Sequence, residues 1–129
     1  MIVVDSAAVI DALTGLAGTD ELRAYLAAEE LHAPSLVDFE VVSALRELIL
    51  GGVLSATRAH DLLSDFEDLP VQRWPFADAL RRRAFQMRDN VSAYDAAYIT
   101  LAEALNCPVL TRDARLSRST GHSVRIEVR

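Results

Sequence analysis

The chain has 129 residues, of which 51% are apolar and 25% charged, a composition that disfavours disorder and fits one domain spanning residues 1–129. Its net charge of −6 argues against nonspecific binding of nucleic acid across a whole basic face. Cys107 is the single cysteine, and His32, His60 and His122 lack ligand spacing, so an internal disulfide is excluded and a zinc site is disfavoured.

The first 13 residues, MIVVDSAAVIDAL, contain no basic residue before their apolar stretch and carry two acids. This pattern fits neither a secretion signal nor a membrane span. We therefore expect a cytoplasmic protein that does not enter a membrane.

Short apolar runs alternate with helical patterns along the whole chain. In chain order, the predicted elements are a strand at residues 2–4, a helix at 6–13, a helix opened by Thr19, a brief strand near 31–35, a helix to residue 50 that a Ser35/Asp38 capping box opens and Gly51–Gly52 ends, a helix from Ser55 to about 68, a strand near 70–74, a helix at about 76–88, a turn at 90–92, a helix to about 105, a strand at 108–111 and a last strand near 123–128.

This alternation predicts an α/β fold with a mostly parallel central sheet of four to five strands, flanked by helices on both faces. In such folds, ligands bind at the carboxyl ends of the strands, where the strand order reverses. Asp5 and Asp113 each lie just past the end of a predicted strand. We therefore expect the chemistry of the protein at that edge of the sheet.

Four acids are candidates for a site, and each also has a purely structural interpretation. Asp5 could cap the helix that begins at the next residue, and Asp113 could cap a short final helix. Asp95 could be the acid of a capping box opened by Ser92. Glu40 has no cation within helical reach and could lie on a solvated helix face. For each acid taken alone, a structural role and a role in a functional site both remain possible interpretations.

Taken together, the four acids favour a metal site. Converging carboxylates repel one another unless a cation neutralises them, and carboxylate oxygens suit Mg²⁺ or Mn²⁺ better than zinc. Such an ion can activate water and stabilise a phosphodiester transition state. The acids therefore indicate phosphoryl chemistry.

The sequence resembles the PIN-domain ribonucleases, and specifically the VapC-type toxins of bacterial toxin–antitoxin modules. The resemblance covers the whole chain and rests on MIVVDSAAVIDAL at the start, APSLVDFEVVSAL in the middle and SAYDAAYITLAEALNCPVLTRD late in the chain. The four acids of the family correspond to Asp5, Glu40, Asp95 and Asp113. Ser6 and Thr111 match its supporting polar positions, whereas Ala7 replaces a second polar residue that the family often has.

The resemblance implies a PIN fold and endonucleolytic RNA cleavage that depends on Mg²⁺, with Mn²⁺ as a possible substitute. Asp5 and Asp95 would be the principal metal ligands, completed by Glu40 and Asp113. It also implies inhibition by a VapB-type antitoxin, with a homodimer or a higher toxin–antitoxin assembly. Two alternatives stay open: a PIN nuclease for RNA processing or DNA-flap cleavage without a toxin role, and a catalytically silent binding module.

Arginines near the proposed site could contact RNA phosphates, or could simply form solvated helix faces. Trp74 and Phe76 are expected in the core, as are Tyr94 and Tyr98 in the buried stripe of their helix, with stacking on RNA bases as the alternative. The apolar helices after residue 19 could form a groove for an antitoxin peptide. The candidate RNA contacts are Arg81, Arg82, Arg83, Arg88, Arg112, Arg115 and Arg118.

Overall fold

The structure, a computed structural model, describes residues 1–16 and 18–129. Its centre is a five-stranded sheet with the strand order β3-β2-β1-β4-β5, in which every pairing is parallel. In chain order the elements are β1 (Ile2–Val4), α1 (Ser6–Thr14), α2 (Asp20–Ala28), β2 (Leu31–Pro34), α3 (Leu36–Leu50), α4 (Ala56–Asp68), β3 (Val71–Trp74), α5 (Asp78–Gln86), α6 (Ala93–Leu105), β4 (Val109–Thr111), the 3₁₀ helix η1 (Ala114–Arg118) and β5 (Ile126–Val128).

Helices cover both faces of the sheet, as predicted. Side chains alternate along a strand, so Ile2 and Val4 enter one core while Val3 enters the other. The first core is built mainly with α1 to α4, and the second mainly with α6. Burial on both faces explains why β1 is a continuous β-branched run rather than an alternating one.

The strand order reverses at β1, between the parallel neighbours β2 and β4. Val3 pairs with Val109 and Val4 with Leu110, and the Asp5 N–H donates to the Leu110 carbonyl at 3.1 Å. That bond continues the ladder one residue beyond β1, so Asp5 is fixed at the carboxyl edge of the sheet. Thr111, the last residue of β4, ends at the same edge.

The predicted helix caps are partly correct. The side chains of Ser55 and Ser92 accept the expected backbone N–H bonds, from Arg58 and Asp95. The Ser35 capping box is wrong, because Ser35 has helical dihedrals and its side chain makes no cap bond within the described part of the chain.

Asp38, the other half of that predicted box, pairs instead with Arg73 of β3 at 3.1 Å. Among the helices of residues 1–16 and 18–129, none is long and apolar enough to cross a lipid bilayer.

Candidate active site

Asp5 lies at the centre of the candidate site and is only 9% exposed. As the N-cap of α1, it accepts the Ala8 N–H at 2.9 Å through Oδ1. Its second oxygen, Oδ2, accepts a hydrogen bond from the Thr111 hydroxyl. The carboxylate is therefore held between the start of α1 and the end of β4, at the switch point of the sheet.

The pKa of Asp5 is raised from its ordinary value of 3.8 to about 6. Burial is the largest cause, because it removes the solvation of the anion. The hydrogen bonds from Thr111 and Ala8 act in the opposite direction, while the charges of Glu40 and Asp113 raise the pKa further. The charges of two other predicted acids, Glu40 and Asp113, therefore act on Asp5.

Glu40 is half-buried on α3, and its partner comes from α6. The Tyr98 hydroxyl donates to Glu40 Oε1 at 2.5 Å. Burial, and then this donation, raise the pKa of Tyr98, whereas the nearby Ser6 hydroxyl acts in the opposite direction. Glu40 is thus oriented by a buried phenol rather than lying on a purely solvated face.

Sequence reasoning missed the role of the Tyr98 hydroxyl, since it assigned this side chain to the buried stripe of α6 only. The side chain is buried, but its hydroxyl reaches the acidic cluster. A signal was available: Tyr98 follows Asp95 by three residues, which places both on one face of a helix.

Asp113 follows β4 and caps η1, where its Oδ1 accepts the Arg115 N–H at 2.9 Å. Its Oδ2 pairs with the exposed Arg115 guanidinium at 2.8 Å, and this partner lowers the pKa of Asp113. The Asp113 N–H donates to Thr111 Oγ1 at 2.9 Å. Thr111 therefore links Asp5 and Asp113 through one hydroxyl, which gives this predicted supporting residue a defined structural role.

Asp95 is exposed in the first turn of α6, where its N–H donates to Ser92 Oγ at 3.1 Å. It shares a cavity of about 310 Å³ with Asp113 and Arg115. We call this the acidic cavity; its lining residues are Asn90, Val91, Ser92, Asp95, Asp113, Arg115, Leu116, Arg118 and Ser119. Asp113 is therefore close to Asp95 on one side and electrostatically coupled to Asp5 on the other.

In this arrangement, hydroxyl and guanidinium groups contact the acids. Within residues 1–16 and 18–129, no three His, Cys, Asp or Glu side chains are placed together so as to hold a metal ion. Thr111 contacts Asp5, Tyr98 contacts Glu40 and Arg115 contacts Asp113. The donor chemistry fits a hard cation, because the coupled groups are carboxylates whose repulsion a cation would relieve.

The predicted arginine contacts fall into two groups. Three form ion pairs with acids other than the four candidates: Arg81 with Asp78, Arg83 with Glu103, and Arg112 with Asp11. The others are exposed: Arg82 and Arg88 lie on or just after α5, and Arg115 and Arg118 line the acidic cavity.

Several aromatic side chains are more exposed than predicted. Trp74 is half-buried and its indole N–H donates to His32 Nδ1 at 2.9 Å, as a core-edge residue would. Phe76 is 36% exposed and Tyr94 is 65% exposed, so the prediction that they are buried is wrong. Tyr94 lies in the first turn of α6, and it lines an apolar groove with Leu36, Phe39 and Phe76.

The sequence of the chain is similar to a protein family and to several named proteins. The family model described as PIN domain matches residues 2–121. The chain is 45% identical over 117 residues to VapC ribonuclease Mb0985 of Mycobacterium bovis, covering 91% of this chain and 89% of that protein. It is 38% identical over 129 residues to ribonuclease VapC12 of Mycobacterium tuberculosis, covering 99% and 98% of the two chains.

Solved structures share the fold at low sequence identity. VapBC2 from Rickettsia felis, bound to a DNA fragment from its promoter, superposes with a TM-score of 0.72 at 13% identity, covering 99% of this chain and 98% of that one. VapC20 of Mycobacterium tuberculosis, described as a sarcin-ricin loop cleaving toxin, superposes with a TM-score of 0.63 at 15% identity, covering 92% and 94%.

Proposed function

The chain belongs to the PIN domain family, and from that premise we propose that it is an endoribonuclease of the VapC type, the toxin of a toxin–antitoxin pair. Relatives named VapC ribonucleases, 34–45% identical over most of the chain, support the activity. Structural neighbours that are VapBC complexes support the pairing with a VapB-type antitoxin.

The observation that carries the proposal is the linkage of Asp5, Thr111 and Asp113 at the switch point of the parallel sheet. Asp5 and Asp113 follow the ends of two neighbouring strands there. The charge of Glu40, on α3, raises the pKa of Asp5. A buried carboxylate such as Asp5, with the charges of other acids acting on it, is costly for folding, so its presence at a ligand-binding edge favours a functional role.

The proposal includes a divalent cation, Mg²⁺ or Mn²⁺, held mainly by Asp5 and Asp95. Glu40 and Asp113 would complete the site directly or through water. When bound, the ion would supply water activation and neutralisation of the charge that develops on a phosphodiester. The chain itself contributes fixed carboxylates: Tyr98 orients Glu40, and Thr111 orients Asp5.

Exposed apolar side chains near Glu40 support a docking surface for the antitoxin. Phe39 and Val42 lie on α3 on either side of the acid and are both largely exposed. An apolar antitoxin segment could cover them and direct a cation toward the four acids. Bidentate contacts between arginine and carboxylates are strong when partly desolvated.

The test is cleavage of RNA by the purified chain with Mg²⁺ or Mn²⁺, and with excess EDTA. We expect cleavage with either ion and none with the chelator, because the acids would then lack their cation. Cleavage that continues undiminished after carry-over metal has been removed would refute the metal requirement.

Matched substitutions assign the acids. We expect Asp95→Asn to abolish cleavage with little change in melting temperature, since Ser92 caps α6 by accepting the backbone N–H of residue 95. Asp89→Asn, at an exposed acid ahead of the same helix, is the control and should retain activity. A labelled DNA flap tested in parallel distinguishes RNA cleavage from the alternative nuclease function.

A further inference from the structure

A second cavity, of about 330 Å³, lies beside the acidic cavity and combines aromatic rings with arginines. We call it the arginine–aromatic cavity; its lining includes Phe76, Arg81, Phe85, Arg88, Val91 and Ser92. It is built by α5, by the turn after that helix and by the start of α6.

Phe85 is the most exposed ring of this cavity. It is 67% exposed, and an apolar side chain of that size gains nothing from contact with water. The Arg88 guanidinium lies 4.7 Å from the ring centroid and donates to the Phe85 carbonyl at 3.1 Å. The ring and the guanidinium together present an aromatic, positively charged surface of the kind on which nucleobases stack.

The two cavities are neighbours, because Val91 and Ser92 line both of them. Asp95 of the acidic cavity lies three residues after Ser92, which caps its helix. A strand of nucleic acid that leaves the acidic cavity toward α5 would therefore meet Phe85 and Arg88.

The charge of this surface differs from that of the whole chain. The net charge is −6, yet two exposed arginines, Arg82 and Arg88, lie on or just after α5 beside Arg81, which is ion-paired with Asp78. In the part of the chain that the structure describes, Arg88 contacts a ring and a carbonyl rather than a carboxylate, so its charge is available to a phosphate.

We propose that the arginine–aromatic cavity binds an unpaired base of a single-stranded RNA, stacked on Phe85, while Arg88 contacts an adjacent phosphate. This inference rests on the proposed ribonuclease function and adds the residues that would hold the substrate. The base must be unpaired, because a base within a duplex has no free face to stack on a protein ring. The neighbouring groove of Leu36, Phe39, Phe76 and Tyr94 has no cation in its lining and suits an apolar protein segment instead.

The experiment measures binding of a short labelled single-stranded RNA to the purified chain in EDTA, so that binding is separated from cleavage. We expect Phe85→Leu to weaken binding about fivefold, near the lower limit for one stacked base. Phe85→Trp should bind at least as tightly as the parent, and Arg88→Gln should also weaken binding and reduce its dependence on salt. The controls are Leu50→Ala, at an exposed apolar residue of α3, and Arg58→Gln, at an exposed arginine of α4.

Leucine keeps most of the apolar surface but removes the ring, which distinguishes stacking from a protein interface. If Phe85→Leu binds the RNA as the parent does, the inference is overturned. It is also overturned if the variant loses self-association or antitoxin binding while RNA binding is unchanged. The parent chain is assayed for RNA cleavage with Mn²⁺ in parallel. If the parent cleaves RNA and Phe85→Leu binds RNA as tightly as the parent, this inference alone is rejected. Failure of the folded parent to cleave any RNA rejects the proposed function instead.

Discussion

Asp5→Asn is expected to stabilise the metal-free protein at pH 7 while abolishing RNA cleavage. The pKa of this carboxyl is raised from 3.8 to about 6, so ionising it in the folded protein costs about 3 kcal/mol more than in the unfolded chain. Asparagine removes that cost and is as good a helix N-cap as aspartate. The asparagine Nδ2 can only donate and replaces the oxygen that accepts from Thr111, so the loss of that bond reduces the expected net gain to about 2 kcal/mol.

The sign of the pH dependence follows from the direction of the shift. Because the pKa is raised in the folded state, the parent loses stability as the pH rises from about 4 through 6, and it regains that stability on acidification. The variant lacks this titration. The difference in melting temperature should therefore be largest at pH 7, at about 6 °C for a domain of this size, and should vanish near pH 4.

The assay is a set of thermal melts of both proteins in EDTA across this pH range, repeated with Mn²⁺. The cation should raise the melting temperature of the parent much more than that of the variant, since Asp5 is a proposed ligand. Asp5→Ala is the matched control, because it removes the charge and the cap together and should lose the benefit of capping. A variant Asp5→Asn that melts below the parent at pH 7 without metal would refute the argument that repulsion and burial dominate at this site.

Three further predictions concern the neighbours of the acids. Thr111→Val should lower the free energy of unfolding by about 2 kcal/mol in urea titrations, because Asp5 and the Asp113 N–H both lose a partner. The control Thr100→Val should cost less, because the Thr100 hydroxyl bonds to a carbonyl of its own helix, α6. Tyr98→Phe should lower the free energy of unfolding by about 1 kcal/mol, because the hydrogen bond to Glu40 is lost. It should reduce single-turnover cleavage less than Glu40→Gln does, since the carboxylate of Glu40 is still present. Equal losses would mean that the phenol itself takes part in the reaction. In a complex with the cognate antitoxin, replacing the antitoxin cation that faces the four acids with Ala should restore part of the RNA cleavage, and full inhibition in an intact complex would show that steric coverage is sufficient.

The sequence predicted the sheet and most of the helices and strands because the patterns that indicate them involve residues close together in the chain. A β-branched run predicted β1, and Ser55 and Ser92 cap their helices through bonds to residues three positions away. The Ser35/Asp38 box failed for the opposite reason. Asp38 has a competing partner in Arg73, 35 residues away, and no spacing rule reports a contact between a helix and a strand that the fold brings together later.

The positions of two candidate acids in the fold could be predicted from the sequence, but the hydrogen-bond partners of the acids could not. Asp5 and Asp113 follow strand ends, a pattern that is visible in the sequence and fixes their edge of the sheet. The bonds from Tyr98 to Glu40 and from Thr111 to Asp5 span 58 and 106 residues. Phe76 and Tyr94 show the same limit, because an apolar residue in a first turn or after a proline faces the core or the solvent according to the packing of the whole domain.

Capping and metal binding are not competing explanations for these acids, because a carboxylate has two oxygens. Asp5 uses Oδ1 for the Ala8 N–H and directs Oδ2 toward Thr111. Asp113 likewise uses Oδ1 for the Arg115 N–H, while its Oδ2 contacts an exposed guanidinium that can move away. The cap fixes one oxygen by backbone geometry and thereby orients the other, which a cation could then bind at little entropic cost. Asparagine at either position keeps the capping oxygen and loses the second anionic one, so this substitution separates the structural contribution of each acid from its chemistry.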